Sequence, residues 1–481
     1  MKDLFLFIFL LPLCFVIFDK KYKFSPKNIS IILIVFFYSM VGIILFPFSY
    51  KIDRFSVENK IIFDISLKET VILVWLTCFI FLLTIYFLEK LFNIFNNSFN
   101  LMIDKFVQSI TYPIKLNFNL TTLSLLSILG IVLILFTFFR TKNIPYLELS
   151  DAKYFPYSFG AYLPLRPFYV FALHLLSFIN FILLTYILQK SLYHLKVYTA
   201  YLLLIINFFF LILTLKRGEI FFPFVMVLGG IILMAKFKRR YVITLIIMAF
   251  FLLSISSLLR PGFEQRLFYK PLYLIFLKMG YISARQPSLV QPSVVQPSVA
   301  QIYLIDYIKK MAIFIKMTIS DIFGAHIRES VRVIYCFKLR SLTLLKGKTY
   351  IASFLGFLPT KYFKFKKKYQ LGRYSAKLVG LNPEVAGGAR IGGWTEAFLN
   401  FGLLGVILFG FFLGFFIYMI NKFYILNFKN ISIIKSIFCF FVLAHFVFGF
   451  FIDGSPALQT FILRIFILGF IYVMNDLSKI I

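Results

Sequence analysis

Acidic residues are scarce in this chain of 481 residues, which holds 19 Asp and Glu against 51 Lys and Arg. Cysteine is also scarce, and the four residues at positions 14, 78, 336 and 439 support neither a disulfide framework nor paired metal ligands. The histidines are scattered, and no HExxH, CxxC, Walker or GxGxxG motif occurs. These absences exclude a disulfide-stabilised scaffold and give no sign of nucleotide hydrolysis. We expect no metal and no cofactor.

Apolar residues make up 61% of the chain and aromatic residues 20%, and the mean hydropathy is +0.90. Soluble domains use about 45–50% apolar residues, so a soluble enzyme and a disordered chain are excluded. A bilayer core needs about 20 apolar helical residues, and the apolar runs predict an all-α polytopic membrane protein with about 11 (10–12) transmembrane helices. The predicted spans are 4–18, 29–48, 70–88, 122–139, 168–188, 198–215, 220–235, 241–259, 397–420, 431–452 and 457–474.

Lysine and arginine in the short loops predict the orientation of the spans. The basic loops at 19–28 and 236–240 are expected in the cytoplasm, which leaves the long hydrophilic segment 260–396 outside. The predicted organisation is therefore helices 1–8 over residues 1–259, one large outer loop over 260–396, and helices 9–11 over 397–481.

The outer loop 260–396 carries 22 Lys and Arg against 6 Asp and Glu. Adhesion to anionic lipid headgroups and binding of an acidic or pyrophosphate-bearing substrate both explain this charge. Residues 286–301 read QPSLVQPSVVQPSVAQ, and a proline every fifth residue predicts an extended spacer. The apolar spacing of Ile302–Phe323 predicts an amphipathic helix on the membrane surface or over the core.

Charged residues near the outer ends of spans are candidates for chemistry, because a charge at the bilayer centre costs about 2.5–3.5 kcal/mol. Arg217 lies in the turn LKRGE, and Arg260 and Arg266 flank the helix break of LRPGFEQR. Planar guanidinium groups match phosphate oxygens, so these arginines could hold pyrophosphate. A plain charged turn and arginines that reach to headgroups are the structural alternatives.

The outer loop supplies the remaining candidates. His326 could act as a general base with Arg328 beside it, and Lys367 could bind an acidic substrate. Arg390 and Glu396 lie in GGARIGGWTEAFLNFGLLG. Arg390, like Arg328, could bind pyrophosphate or glycan, and Glu396 could act as a general base at the mouth of the membrane core. The alternatives are an inert surface histidine, a solvated lysine face, and a glutamate that complements the dipole of the helix it begins.

Two segments together carry a resemblance to a known family. The first reads G-x-T-Y, then L-P and two lysines; the second reads G-G-x-x-E-x-x-x-N-F-G-x-x-G before the next span. This pattern resembles the bacterial O-antigen polymerases, the Wzy-type oligosaccharide repeat-unit polymerases, over about residues 200–420. The matching residues are Gly347, Thr349, Tyr350, Leu358, Pro359, Lys366, Lys367, Gly392, Gly393, Glu396, Asn400, Phe401, Gly402 and Gly405, with the turn Lys216–Arg217–Gly218.

The resemblance implies a GT-C-like, metal-independent glycosyltransferase of the bacterial inner membrane with its active site facing the periplasm. Its substrates would be undecaprenyl-pyrophosphate-linked oligosaccharides. Arg217, Arg260 and Arg266 would hold pyrophosphate, and Glu396 would be the base, with His326 and Arg328 as second choices. Membrane lipids, a chain-length regulator and a flippase are the implied partners, and no nucleic acid is expected.

Three other functions remain open. An O-antigen ligase shares this architecture but transfers glycan to lipid A core, and His326 is the one candidate for its loop histidine. A flippase of polyprenyl-linked oligosaccharides would place charges within the spans, where Lys435 and Arg464 are exceptions to a nearly uncharged pattern. A non-enzymatic membrane scaffold is the third.

Overall fold

The structure is a computed structural model that describes part of the chain. The described residues are 8–19, 25–45, 60–94, 119–142, 144, 165–189, 195–214, 217–233, 324, 326–357, 363–380, 391–427 and 433–480. Within these ranges the protein is helical and contains no β-strand. The predicted span 241–259, the proline spacer and the predicted helix at Ile302–Phe323 lie outside them.

Seven helices in the described ranges are long and apolar enough to cross a membrane, so the protein is a polytopic membrane protein. They are Pro26–Ile44, Ile61–Leu91, Leu120–Thr141, Arg166–Ile187, Lys196–Leu213, Gly393–Ile425 and Ser455–Leu477. Two predicted spans correspond to shorter apolar helices, Gly218–Leu233 and Cys439–Asp453. In the region of the predicted span 4–18, the structure has the short helix Leu10–Ile17.

The helices Lys60–Ile94 and Gly393–Asn427 extend well beyond the apolar windows from which spans are predicted. Polar contacts explain the extra turns of the first helix. Glu69 near its start pairs with Lys338 at 2.7 Å, and Glu89 near its end pairs with Lys27. A hydropathy window does not detect charged helix ends of this kind, because ion pairs with residues elsewhere in the chain stabilise them.

The described residues belong to two compact units. Unit 1 draws on Met1–Tyr112, Gln291–Lys429 and Val442–Phe461. In it, helix Lys60–Ile94 packs along Gly393–Asn427. Unit 2 draws on Pro113–Val290, Asn430–Phe441 and Ile462–Ile481, and its helix Arg166–Gln189 packs against Leu120–Thr141, Leu195–Leu213 and Arg217–Leu233.

Part of the segment expected as an outer loop forms a helical layer of unit 1. Its helices are 326–339, Lys348–Phe354, Lys364–Tyr369 and Leu371–Leu378, with a short 3₁₀ turn at Leu355–Phe357. A separate apolar core holds the layer against the start of Gly393–Asn427. That core consists of Val333, Phe337, Leu345, Leu371, Leu378, Val379, Ile391 and Leu399.

Helix Gly393–Asn427 is broken at Gly402, whose φ of 64° and ψ of −147° are not helical. The break frees the carbonyls of Leu399 and Asn400, and the backbone N–H groups of Leu345 and Lys346 donate to them at 2.9 Å each. Beyond the break the chain passes so close to itself that a Cβ at Gly405 would lie 2.2 Å from the carbonyl oxygen of Ala397. The backbone conformation at Gly402 and the close approach at Gly405 therefore explain both glycines of the N-F-G-x-x-G motif.

Substitution of Gly402 by alanine is expected to destabilise the protein by about 1–3 kcal/mol, the cost of a glycine-only backbone conformation. Steric overlap contributes little, because the nearest atom to a Cβ there is Leu344 Cδ1 at 3.7 Å. The free energy of unfolding in detergent checks this. Gly469→Ala is the matched control, since a Cβ there meets nothing within 4 Å. An equal effect at both positions would contradict the backbone explanation.

Candidate functional site

Glu396 lies in the first turn of Gly393–Asn427, and its side chain is fully buried in unit 1. Its carboxylate accepts three hydrogen bonds. The hydroxyls of Thr349 and Ser455 each donate to Oε1 at 2.6 Å, and the backbone N–H of Ser455 donates to Oε2 at 2.7 Å. These three donors offset part of the cost of burying a carboxylate. We call Glu396, Thr349, Asn400, Ser353 and Ser455 the Glu396 cluster.

Two further side chains extend the cluster on either side of the carboxylate. Asn400 Nδ2 donates to Thr349 Oγ1 at 2.7 Å, and the hydroxyls of Ser353 and Ser455 lie 2.7 Å apart. When Thr349 and Ser455 donate to Glu396, each hydroxyl oxygen is free to accept from its outer neighbour. Two series of hydrogen bonds therefore end on the carboxylate of Glu396. One runs from Asn400 through Thr349, and the other runs from Ser353 through Ser455.

Gly454 explains why Ser455 can reach the carboxylate. Its φ of 68° and ψ of −148° end the preceding helix at Asp453, and helix Ser455–Ile480 begins immediately after it. A Cβ at Gly454 would lie 2.6 Å from Glu396 Oε2, so glycine also gives the carboxylate its space. The carboxyl group thus lies at the N-terminus of a long helix, where the helix dipole is favourable to a negative charge.

The two segments that carry the family resemblance meet at this cluster. Thr349 and Glu396 are 47 positions apart in sequence and share a hydrogen bond. The ring of Tyr350 stacks on that of Phe401, with centroids 6.3 Å apart and planes 11° from parallel. Burial and the charge of Glu396 raise the pKa of Tyr350 well above its ordinary value, which keeps its hydroxyl protonated.

Other predicted site residues lie elsewhere or outside the described ranges. Three of them, Arg260, Arg266 and Arg390, lie outside the described ranges. Arg217 is described only as the first residue of helix Arg217–Leu233. Lys367 is exposed on helix Lys364–Tyr369. Arg328 is half-buried, and its Nε donates to Glu329 Oε1 at 3.0 Å.

His326 is buried at the start of helix 326–339, where its ring packs against Tyr38 and Phe451. Burial lowers the pKa of His326 to about 4, although the backbone of Tyr38 opposes the shift. The imidazole is therefore neutral at neutral pH, and His326 is not a member of the Glu396 cluster.

His326 is expected to make stability depend on pH. Its ordinary pKa of 6.5 falls to about 4 on folding, so between these values only the unfolded chain binds the proton. The free energy of unfolding should then fall by about 2–3 kcal/mol as the pH drops from 7 to 4. Unfolding of the wild type and His326→Phe, compared across this range, checks this. Equal pH slopes in the two proteins would contradict it.

A second cluster, which the sequence analysis did not assemble, lies in unit 2. Arg464 Nη2 lies 2.9 Å from Glu219 Oε1 and 3.2 Å from Oε2, and His174 Nδ1 lies 3.0 Å from Oε2. The side chains are only 13% (His174), 13% (Glu219) and 8% (Arg464) exposed. Arg464 also lies 3.9 Å from the centroid of the Phe222 ring, a cation–π contact. We call His174, Glu219 and Arg464 the buried ionic triad.

The triad joins three helices, Arg166–Gln189, Arg217–Leu233 and Ser455–Ile480. The sequence shows each charge, but their pairing depends on contacts across as many as 245 positions, which no local pattern encodes. Among the described residues, no group of three or more His, Cys, Asp or Glu could hold a metal ion.

Comparison with known proteins gives no assignment for either cluster. No protein-family model matches the chain, and neither a curated protein nor a solved structure does.

Proposed function

We propose that this protein is a bacterial surface-polysaccharide polymerase, which transfers a growing undecaprenyl-pyrophosphate-linked glycan onto a new lipid-linked repeat unit. One observation carries the proposal. The residues that resemble those of repeat-unit polymerases come from separate segments, and Thr349, Glu396 and Asn400 join in one buried polar cluster. A polytopic membrane architecture agrees with lipid-linked substrates.

In the proposed reaction, a hydroxyl at the non-reducing end of the new unit attacks the anomeric carbon of the growing chain. The new carbon–oxygen bond forms as the bond to pyrophosphate breaks, and undecaprenyl pyrophosphate leaves with the bonding electrons. The hydroxyl proton passes to Glu396 as general base. Such assistance is worth about 10²–10⁴ in rate.

The proposed role of Glu396 sets a geometric requirement. An ionised carboxylate offers about four acceptor positions, and the cluster fills three of them. Gly454 lies directly against Oε2, and a base must come within hydrogen-bonding reach of the proton that it removes. Because Glu396 is fully buried, catalysis by Glu396 requires one of the groups around the carboxylate to move away from it.

The finer parts of the proposal follow from the sequence. Arg217, Arg260 and Arg266 would stabilise the leaving pyrophosphate, since oriented guanidinium groups offset charge that develops in the transition state. The protein would have eleven spans in a GT-C-like arrangement in the inner membrane, with its active site facing the periplasm. A chain-length regulator and a flippase would be its partners.

Deletion of the protein in its host, followed by gel analysis of the surface polysaccharide, tests the proposal. A polymerase deletion should leave a single repeat unit on the lipid core, and complementation with the wild type should restore the ladder of lengths. Long chains that are not attached to lipid A would instead identify a ligase. An unchanged ladder in the deletion strain would contradict all three carbohydrate functions.

The buried ionic triad favours a second candidate, a flippase for polyprenyl-linked oligosaccharides. Charges buried within membrane-spanning helices are rare and commonly mark a transport pathway. Glu219 and Arg464 form such a pair, with His174 beside Glu219. Accumulation of lipid-linked units on the cytoplasmic side of the deletion strain would support this candidate against the polymerase. Accumulation on the periplasmic side would reject it.

A further inference from the structure

One stretch of unit 1 is rich in basic residues and contains no acidic residue. Between residues 330 and 383 the sequence holds twelve Lys and Arg and no Asp or Glu. Some of these cations have partners; Lys338 pairs with Glu69, and Lys366 donates to the carbonyl oxygen of Gly356. A group of lysines around the short helices is exposed, and it consists of Lys346, Lys364, Lys367 and Lys368.

Apolar side chains are exposed beside these lysines. On helix Lys348–Phe354, Ile351 is 52% exposed and Phe354 is 60% exposed, and Phe365 among the lysines is 37% exposed. The opposite face of the same helix is buried in the Glu396 cluster through Thr349 and Ser353. A helix with one exposed apolar face and adjacent lysines has the composition of an interfacial membrane helix.

The exposed apolar surface continues onto a membrane-spanning helix. Past Gly402, the span has an exposed apolar stripe at helical spacing, formed by Leu403, Leu404, Ile407, Leu408, Phe411, Phe412 and Phe415. Leu344, 42% exposed, lies near Gly402, where an added Cβ would be 3.7 Å from its Cδ1. The half-exposed ring of Phe401 stacks on Tyr350 of helix Lys348–Phe354. Lipid that covers this stripe would also contact helix Lys348–Phe354, at the same edge of the bilayer.

We propose that helices Lys348–Phe354 and Lys364–Tyr369 form a docking surface for the anionic phospholipids of the membrane leaflet. Ile351, Phe354 and Phe365 enter the boundary between headgroups and acyl chains, and the exposed lysines attract lipid phosphates. The choice of occupant rests on the absence of acidic residues from the stretch that holds these lysines and on the continuity with the exposed apolar stripe. This inference makes no assumption about the reaction.

Lipid binding by the full-length protein in detergent tests the charge half of the proposal. Retention of phosphatidylglycerol and phosphatidylcholine is compared by native mass spectrometry for the wild type and K364Q/K367Q/K368Q. The wild type should prefer phosphatidylglycerol, and the triple variant should bind it on the order of 10- to 100-fold more weakly at low salt. The matched control K68Q/K90Q/K196Q removes three exposed lysines elsewhere and should keep more of the preference.

A spin label at position 354 tests the apolar half. Phe354→Cys is introduced with Cys336→Ser, since the other three cysteines are buried, and the protein is placed in phosphatidylglycerol-containing vesicles. The label should be accessible to oxygen and shielded from a water-soluble nickel complex. A label at exposed Lys377, introduced as Lys377→Cys, provides the reference for water contact.

Each contrary result overturns the proposal. Equal nickel accessibility at 354 and 377 would put the helix in water, and shielding from both reagents would mean that protein covers this face. Unchanged phosphatidylglycerol retention in the triple lysine variant would remove the role of charge. None of these readouts uses polymer formation, so their failure is distinguishable from failure of the proposed function.

Discussion

Replacement of Glu396 by glutamine is expected to abolish the polymer ladder, with a loss of about 10²–10⁴ in rate, while the protein still folds. The amide can fit the cluster because its oxygen can accept from the backbone N–H of Ser455, and its NH₂ can donate to the hydroxyls of Thr349 and Ser455. The variant would lose the proposed general base, together with a carboxylate that is favourable at the helix N-terminus. Loss of the latter costs about 0.3–2 kcal/mol of stability.

The test requires the ladder on a gel together with the amount and thermal stability of the membrane-inserted protein. Glu69→Gln is the matched control, because Glu69 is a paired carboxylate of the neighbouring helix Lys60–Ile94 and its partner Lys338 is 32% exposed. Glu396→Ala is less informative, since it leaves a cavity and unsatisfied donors that together cost about 2–5 kcal/mol. A normal ladder from folded Glu396→Gln would leave Glu396 with only its structural role at Ser455.

Replacement of Glu219 by glutamine is expected to destabilise the protein by about 3–5 kcal/mol, because it leaves the buried guanidinium of Arg464 without a counter-charge. The double variant Glu219→Leu, Arg464→Met should recover most of this loss. The attraction within a buried ion pair is little greater than the cost of removing the two charges from water. Apolar residues of similar volume can therefore take its place. Thermal unfolding in detergent measures both effects.

Glu69→Gln is the control for the triad, since it makes the same chemical change in a pair whose side chains are 26% and 32% exposed. An exposed pair contributes about 0–1 kcal/mol, so this variant should remain near wild-type stability. If Glu219→Gln is as stable as Glu69→Gln, the triad is not the tightly packed ion pair that the structure describes. If the double variant is no better than Glu219→Gln, the loss does not come from an unpaired charge.

Much of the membrane architecture follows from the sequence because apolar run length has a direct physical cause. Seven predicted spans coincide with long apolar helices, and two others coincide with shorter ones. The exact ends are not predicted, because Glu69 and Glu89 extend a helix through ion pairs with remote residues. Similarly, composition suggests a basic loop at 260–396, whereas its apolar core depends on contacts between separate short helices.

The site is predicted only in part. Glu396 can be recognised in the sequence because a carboxylate at the start of an apolar span is costly to bury. Both roles predicted for it, general base and a charge that complements the helix dipole, depend on that position. Ser455 gives no such signal, since serine at the start of a helix is common. Its contact with Glu396 depends on Gly454, whose positive φ brings two remote helix starts together. The pairing of Glu219 with Arg464 is hidden for the same reason.

Polymerisation by the purified protein tests the central claim most directly. The full-length protein is reconstituted in vesicles with undecaprenyl-pyrophosphate-linked repeat units from the deletion strain, and the glycan lengths are read on a gel. The account predicts a ladder of lengths, one undecaprenyl pyrophosphate released for each new linkage, and no ladder with Glu396→Gln. Repeat units that stay single with a folded wild type, or a ladder of equal yield from Glu396→Gln, would contradict it.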